Sequence, residues 1–232
     1  MNIAIIPARG GSKRIPRKNI KDFCSKPMIA YAITAAKESG LFEHIVVSTD
    51  DEKIAQIARA WGAKTPFVRP TELANDYTAT VPVIANGIEV CRNLGWTFDQ
   101  VCCIYPGVPF IQIHDLKGAL ARLTSSDADY CFPVTEYPSA IQRALKLLGN
   151  GKMQPFYPEF EITRTQDSEP AYYDAGQFYW AKAETWLKNP TIHSSGLGYV
   201  IPNWRVVDID TLDDWQRAEL IYRAINFSTT TF

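Results

Sequence analysis

Apolar positions along the first 135 residues follow two rhythms. Short unbroken runs at Asn2 to Ile6, His44 to Ser48, Gln100 to Tyr105 and Asp129 to Val134 read as strands covered on both faces, because a strand with one wet face would alternate. Between them the apolar residues recur with helical spacing over Pro27 to Ser39, Asp51 to Trp61, Thr80 to about Leu94 and Asp115 to Leu123. Pro27 suits a first helical turn, and Gly40, Gly62 and Gly95 suit helix ends. A short strand near Phe67-Val68 completes the alternation. Strands alternating with amphipathic helices predict an α/β, Rossmann-like fold: a mostly parallel sheet with helices on both faces.

The rhythm breaks after about Thr135. Two β-like runs flank Gly149-Asn150-Gly151, which reads as a hairpin turn. A stretch rich in Pro, Tyr and Glu follows, from Gln154 to Asp174. Strands are predicted at Gly176 to Ala181 and Val206 to Ile209. An amphipathic helix closes the chain over Thr211 to Ile225, with Thr211 as its N-cap. The chain of 232 residues reads as one domain, 1–232, with a β-rich arm over about 136–180 inserted in it.

Composition narrows the function classes. The net charge is -1 and the pI about 6.3. A nucleic-acid binder would more often be basic overall. Five cysteines without C-x-x-C spacing read as reduced core thiols, and three scattered histidines do not suggest a metal centre. Neither a leader-type N-terminus nor a membrane-spanning apolar run is evident, so a cytoplasmic protein without a membrane partner is expected.

Against that neutral background one loop stands out. The first strand runs into Ala8-Arg9-Gly10-Gly11-Ser12-Lys13-Arg14-Ile15-Pro16-Arg17-Lys18-Asn19. Glycines let main-chain N–H groups approach an anion, and Arg and Lys neutralise phosphate. In an open α/β sheet this loop sits at the ligand-binding edge. It matches neither the Walker loop nor the dinucleotide fingerprint. It is either another kind of triphosphate loop or a basic surface turn. Far along the chain, Asp208-Ile209-Asp210 sets two carboxylates at i and i+2, where a strand would aim them from one face at a shared Mg2+. The alternative is helix capping, since a helix follows. Arg69-Pro70-Thr71-Glu72-Leu73-Ala74, with Asp76 and Thr78, is by itself a turn before a helix. The run Arg164-Thr165-Gln166-Asp167, with Tyr172, Asp174, Gly176, Gln177 and Tyr179, has the hydrogen-bonding groups to read a carboxylate and an amide, and equally suits a dimer-forming arm.

Taken in order, these pieces resemble the cytidylyltransferases that activate sialic-acid-like sugars with CTP. The carrying motifs are Ile6-Pro7-Ala8-Arg9-Gly10-Gly11-Ser12-Lys13 with Lys18-Asn19, Val47-Ser48-Thr49-Asp50, Arg69-Pro70 with Leu73-Ala74, Arg164-x-Gln166-Asp167, and Val207-Asp208-Ile209-Asp210. The resemblance implies a fold of the nucleotide-diphospho-sugar transferase type. It implies that Arg9, Ser12, Lys18 and Asn19, on a loop completed by Gly10, Gly11 and Lys13, hold the triphosphate. Ala8, Arg69 and Thr78 lie around cytosine and ribose, and Asp208 and Asp210 take Mg2+. Arg9, Lys18, Asp208 and Asp210 form the implied catalytic set. Tyr105, Arg164, Gln166, Asp174 and Gln177 are the implied sugar contacts, Arg164 reaching into a partner subunit's site in a homodimer.

Two departures fall near the sugar. Tyr105 replaces a glutamine of the sialate enzymes, and Ala175-Gly176-Gln177 stands where they carry Asn-Gly-Ala. Both argue against N-acetylneuraminate, and Tyr105 with the run Arg14-Ile15-Pro16-Arg17-Lys18-Asn19-Ile20-Lys21-Asp22-Phe23 is similar to the pseudaminate branch, although Pro106-Gly107-Val108 is unusual even there. Legionaminate, N-acetylneuraminate and 3-deoxy-manno-octulosonate are the alternative acceptors. A non-catalytic anion- or nucleic-acid-binding module is the remote one.

Overall fold

A computed structural model describes residues 1–227 of the chain. In order, the elements are β1 (Asn2–Pro7), β2 (Asp22–Phe23), β3 (Lys26–Pro27), α1 (Met28–Ser39), β4 (His44–Ser48), α2 (Glu52–Ala60), α3 (Thr80–Asn93), β5 (Gln100–Ile104), α4 (Ile113–Thr124) and β6 (Tyr130–Glu136). They continue as β7 (Leu145–Leu147), β8 (Met153–Pro155), β9 (Tyr172–Asp174), β10 (Phe178–Lys182), α5 (Ala183–Lys188), β11 (Gly196–Val200) and α6 (Leu212–Phe227).

The main sheet runs β11-β6-β10-β5-β1-β4, with β9 added beside β6. Ile3, Ala4, Ile5 and Ile6 of β1 are fully buried, and β1 pairs parallel to both β4 and β5. Alternate β1 side chains serve opposite faces. Ala4 and Ile6 join α1 and α4 residues such as Ile29, Ile33 and Leu116 on one side. Ile3 and Ile5 meet Ile84 and Ile88 of α3 and Trp186 of α5 on the other. The four buried cysteines, Cys91, Cys102, Cys103 and Cys131, lie within these two cores, and no cysteine forms a disulfide.

The mostly parallel sheet is borne out with one refinement, and two strand expectations need correction. The sheet carries two antiparallel strands: β10 pairs antiparallel to both β5 and β6, and β9 antiparallel to β6. The cause is the arm, because β6 ends at the ligand edge and the chain re-enters from that same edge. First, Val206–Ile209 is extended but joins no strand. The place beside β6 is taken by β11, in parallel register from Gly196↔Tyr130 to Val200↔Val134. Second, the strand expected near Phe67-Val68 shrinks to a single bridge, Thr49↔Val68.

A third apolar cluster decides where the site forms. Ile15 from the basic loop, Phe23, Met28, Tyr31, Phe110, Ile209, Trp215 and Ala218 pack together. Phe23 meets Trp215 edge-on at 5.4 Å, a geometry worth about 1 kcal/mol beyond area burial. This cluster ties the loop after β1 to the segment before α6. Beyond the sheet, β7 and β8 form a separate two-stranded hairpin with exposed apolar side chains, Leu145, Leu147 and Met153 among them. No helix of the described residues is long and apolar enough to cross a membrane.

Candidate active site

The loop after β1 is held open by its neighbours. The Gly10 N–H donates to Asp50 Oδ1 at 2.8 Å, and a Cβ on Gly10 would lie 2.9 Å from Asp51 side-chain atoms, so only glycine fits. Asn19 is buried and donates to the Arg9 carbonyl at 3.0 Å, which fixes the loop's far side. Arg17, at φ 55°, donates to both Asp51 oxygens at 3.1 and 3.2 Å. Of the loop's cations, Arg9, Lys13, Arg14 and Lys18 line a cavity of about 530 Å3, together with Ser12, Asn19, Arg69, Thr78 and Asp210.

These cations pair with anions of the chain itself. Arg9 pairs with Asp76 Oδ1, and Lys13 Nζ lies 2.5 Å from Asp76 Oδ2. The two pairings, Lys13 first, hold the Asp76 carboxyl below the usual carboxylate range. Deeper in, Arg69 is buried and donates to the Ser48 hydroxyl at 3.1 Å and to the Ser48 carbonyl. Burial lowers its pKa to about 10, which leaves it cationic at neutral pH. Ala8 is buried in the sheet-side core, so its side chain does not face the cavity; Gly10 and Gly11 shape the loop without lining it.

The aspartates reach the same place from 190 residues away in the chain. Lys18 Nζ donates to the Ile209 carbonyl at 2.6 Å and lies 3.5 Å from Asp210 Oδ1, and Arg14 Nη1 lies 2.6 Å from Asp210 Oδ2. Burial first, and then the charge of Asp210, push the Asp208 carboxyl above its usual range. A cation beside Asp208 would offset both the burial and the neighbouring Asp210 charge that disfavour its ionised form. Among the described residues no group of three or more His, Cys, Asp or Glu encloses an ion. The Asp208 and Asp210 carboxylates beside this cavity fit Mg2+, which takes one or two carboxylates and completes its shell with phosphate oxygens and water. The capping expectation also holds at this junction. The Asp214 N–H donates to Thr211 Oγ1 at 3.1 Å and the Thr211 N–H to Asp214 Oδ2 at 2.9 Å. Asp208 and Asp210 take no part in those two bonds.

A second cavity of about 480 Å3 adjoins the first, sharing Lys18, Tyr105 and Pro106. Asp174, Gly176, Gln177 and Asp208 line it. Asp174 accepts from the Gly176 N–H and the Tyr179 hydroxyl, each at 2.8 Å, and His193 Nε2 lies 2.8 Å from its Oδ2. The Gln177 amide is half used: its Nε2 donates to the Arg205 carbonyl at 2.9 Å, while its buried Oε1 has no partner. Tyr105 shares a 2.7 Å hydrogen bond with Thr80, and burial lifts its phenol to about 12. It is a neutral hydrogen-bonding group at neutral pH rather than a base.

Arg164 and Gln166 line neither cavity of their own chain. Both are exposed on the arm, where Arg164 grips Asp167 at 2.7 and 3.1 Å. Sequence reasoning named Asp50 only as part of a motif, without its bond to Gly10, and passed over the Arg205–Asp115 pair, His193 and Arg217. The Arg205–Asp115 and His193–Asp174 contacts carry no local signal, because their partners are 90 and 19 residues apart.

A cytidylyltransferase family model matches residues 3–154, about two thirds of the chain, from the first strand into the arm. The chain belongs to the cytidylyltransferase family. It is 42% identical, over 96% of both chains, to the pseudaminic acid cytidylyltransferase of Campylobacter jejuni strain 81-176. It is 31% identical, over 94% of both chains, to the CMP-N,N'-diacetyllegionaminic acid synthase of Legionella pneumophila strain Philadelphia 1. Among solved structures, a CMP:2-keto-3-deoxy-manno-octonic acid synthetase complexed with CTP superposes with a TM-score of 0.70 at 18% identity, covering 97% of this chain and 99% of that one. The last likeness speaks for a shared fold alone, and it agrees with the mixed, mostly parallel sheet described above.

Proposed function

We propose that this cytidylyltransferase transfers CMP from CTP to the anomeric hydroxyl of a nonulosonic acid, pseudaminic acid being the acceptor, with release of pyrophosphate. The observation that carries the reading is the junction at Lys18. Its ammonium faces both cavities and is bonded to the carbonyl between the two aspartates, so the nucleotide loop and the acidic segment act on one reacting centre. The acceptor assignment rests on the 42% identity to the Campylobacter enzyme.

In this reading the triphosphate lies along Arg9, Ser12, Lys13 and Lys18, with the base over Arg69 and Thr78 and the sugar acid in the second cavity. Arg9 and Lys13 leave Asp76 for phosphate oxygens. The sugar hydroxyl forms its bond to the α-phosphorus as the bond to pyrophosphate breaks, and Arg9 and Lys18 neutralise charge on the departing group. Asp208 and Asp210 would hold Mg2+, which supplies further charge neutralisation on the triphosphate. Tyr105 and the unpartnered Gln177 Oε1 offer hydrogen bonds to sugar substituents. Residues 1–232 act as one catalytic domain, and the arm over about 136–180 joins two copies in a cytoplasmic homodimer. Its exposed apolar residues support that role, Ile162 being 96% exposed.

The test is pyrophosphate release from CTP with a panel of pseudaminic, legionaminic, N-acetylneuraminic and 3-deoxy-manno-octulosonic acids. Pseudaminic acid is expected to give the highest kcat/KM. Preference for another acid replaces the acceptor, and no turnover with any acid removes the reaction.

A further inference from the structure

Three cationic side chains line the second cavity: Lys18, Arg205 and Arg217. Two are committed. Lys18 donates to the Ile209 carbonyl at 2.6 Å, lies 3.5 Å from Asp210 and also faces the triphosphate cavity. Arg205 is 6% exposed and grips Asp115, itself 1% exposed, through both guanidinium nitrogens. That pair is already neutral, and pulling its cation toward a ligand would strand a buried carboxylate. Arg217, on α6, is different. Among the described residues no carboxylate oxygen lies within ion-pair distance of its guanidinium; it acts on Asp214 only through space.

The cavity is otherwise hostile to an anion, because Asp174 and Asp208 both stand in its wall. Any acid that enters needs a cation to offset them. A 2-keto sugar acid carries its one full negative charge on the carboxylate attached to the anomeric carbon, next to the hydroxyl that attacks phosphorus. Where that carboxylate docks sets where the hydroxyl points. Arginine's planar fork matches a carboxylate with two parallel hydrogen bonds. We propose that Arg217 binds the carboxylate of the acceptor, which makes α6 the element that orients the nucleophile as well as the one that follows the aspartates. This deepens the cytidyl-transfer reading above and rests on it.

The test is steady-state kinetics of the full chain with CTP and pseudaminic acid. Arg217→Gln is expected to raise the KM for the acid about 10- to 100-fold, the loss of one charge-assisted contact. The KM for CTP and the melting temperature stay at wild-type values, and Arg217→Lys recovers part of the loss. A pseudaminic carboxamide closes a thermodynamic cycle: it is a poorer substrate than the acid for the wild type and nearly equal to it for Arg217→Gln. A merely structural arginine would not produce that cycle. With an active wild type, an unchanged KM for the acid in Arg217→Gln overturns the inference alone, as does an equal rise in both KM values. A wild type that turns over no acid of the panel overturns the underlying reading and this inference together.

Discussion

Asp76 bridges Arg9 and Lys13, two of the cations that the proposed reading gives to the triphosphate. Its carboxylate keeps two cations gathered at the cavity mouth, yet it must give them up when a stronger anion arrives. Asp76→Asn removes the competitor and one source of repulsion. The KM for CTP is expected to fall by about 3- to 10-fold at low salt, with the difference shrinking as ionic strength rises. A CTP saturation curve at two salt concentrations measures it, and a raised KM would show that Asp76 organises the site instead. Asp210 has the opposite role. Asp210→Asn keeps the shape but removes half of the paired charge, and turnover is expected to drop by about 100-fold or more across a Mg2+ titration. Wild-type activity in that variant removes the metal assignment. The pH profile offers a third check at this scale. Because burial holds the Tyr105 phenol near 12, Tyr105→Phe should leave the shape of the kcat/KM profile between pH 6 and 10 unchanged while lowering its height. A basic limb that disappears with the hydroxyl would make Tyr105 a titrating group after all.

At the scale of elements, the site exists because Ile15 and Ile209 pack in one cluster with Phe23 and Trp215. Ile209, 3% exposed, anchors the extended segment so that the flanking aspartates face Lys18 and Arg14. Ile209→Ala is expected to cost about 2–5 kcal/mol of stability and to raise the Mg2+ concentration needed for half-maximal rate. Urea unfolding and a Mg2+ titration on the same variant check both halves. The basic loop was legible in the sequence because its signal is local: glycines and cations crowd a dozen residues directly after a strand. The pairing of Asp76 and Asp50 with that loop was not, since they are 67 and 40 residues from the groups they bind. The strands of the parallel half were legible as unbroken apolar runs, but such runs carry no direction, so the antiparallel entry of β10 could not be read. β11 was hidden by its glycines. They look like loop residues, yet a Cβ on Gly196 would come within 2.5 Å of the Phe132 ring and one on Gly198 within 2.8 Å of Val134. These glycines make room for the bulky neighbours on β6, which only the pairing reveals.

On the scale of the whole molecule, Arg164 and Gln166 line neither cavity of their own chain, so a sugar contact from them requires a second copy. If the arm crosses to a second copy, the two defects Asp210→Asn and Arg164→Ala belong to different sites, and mixing the variants restores one of them. In a mixed dimer, the chain with Arg164→Ala keeps its own aspartates and receives an intact Arg164 from its partner. The other site lacks both. Random reassociation of equal amounts makes half the dimers mixed, each with one good site of two, so about one quarter of wild-type activity should return. If Arg164 served its own chain, every site in the mixture would lack either Asp210 or Arg164, and nothing would return. The experiment needs each variant alone to be nearly inactive and each to be dimeric by light scattering. Ile162→Asp supplies the complementary perturbation: a charge on the arm's most exposed apolar side chain should shift the chain toward monomer and abolish the rescue. Rescue that survives in a monomeric variant would separate Arg164 from the second subunit and return it to the surface of its own arm.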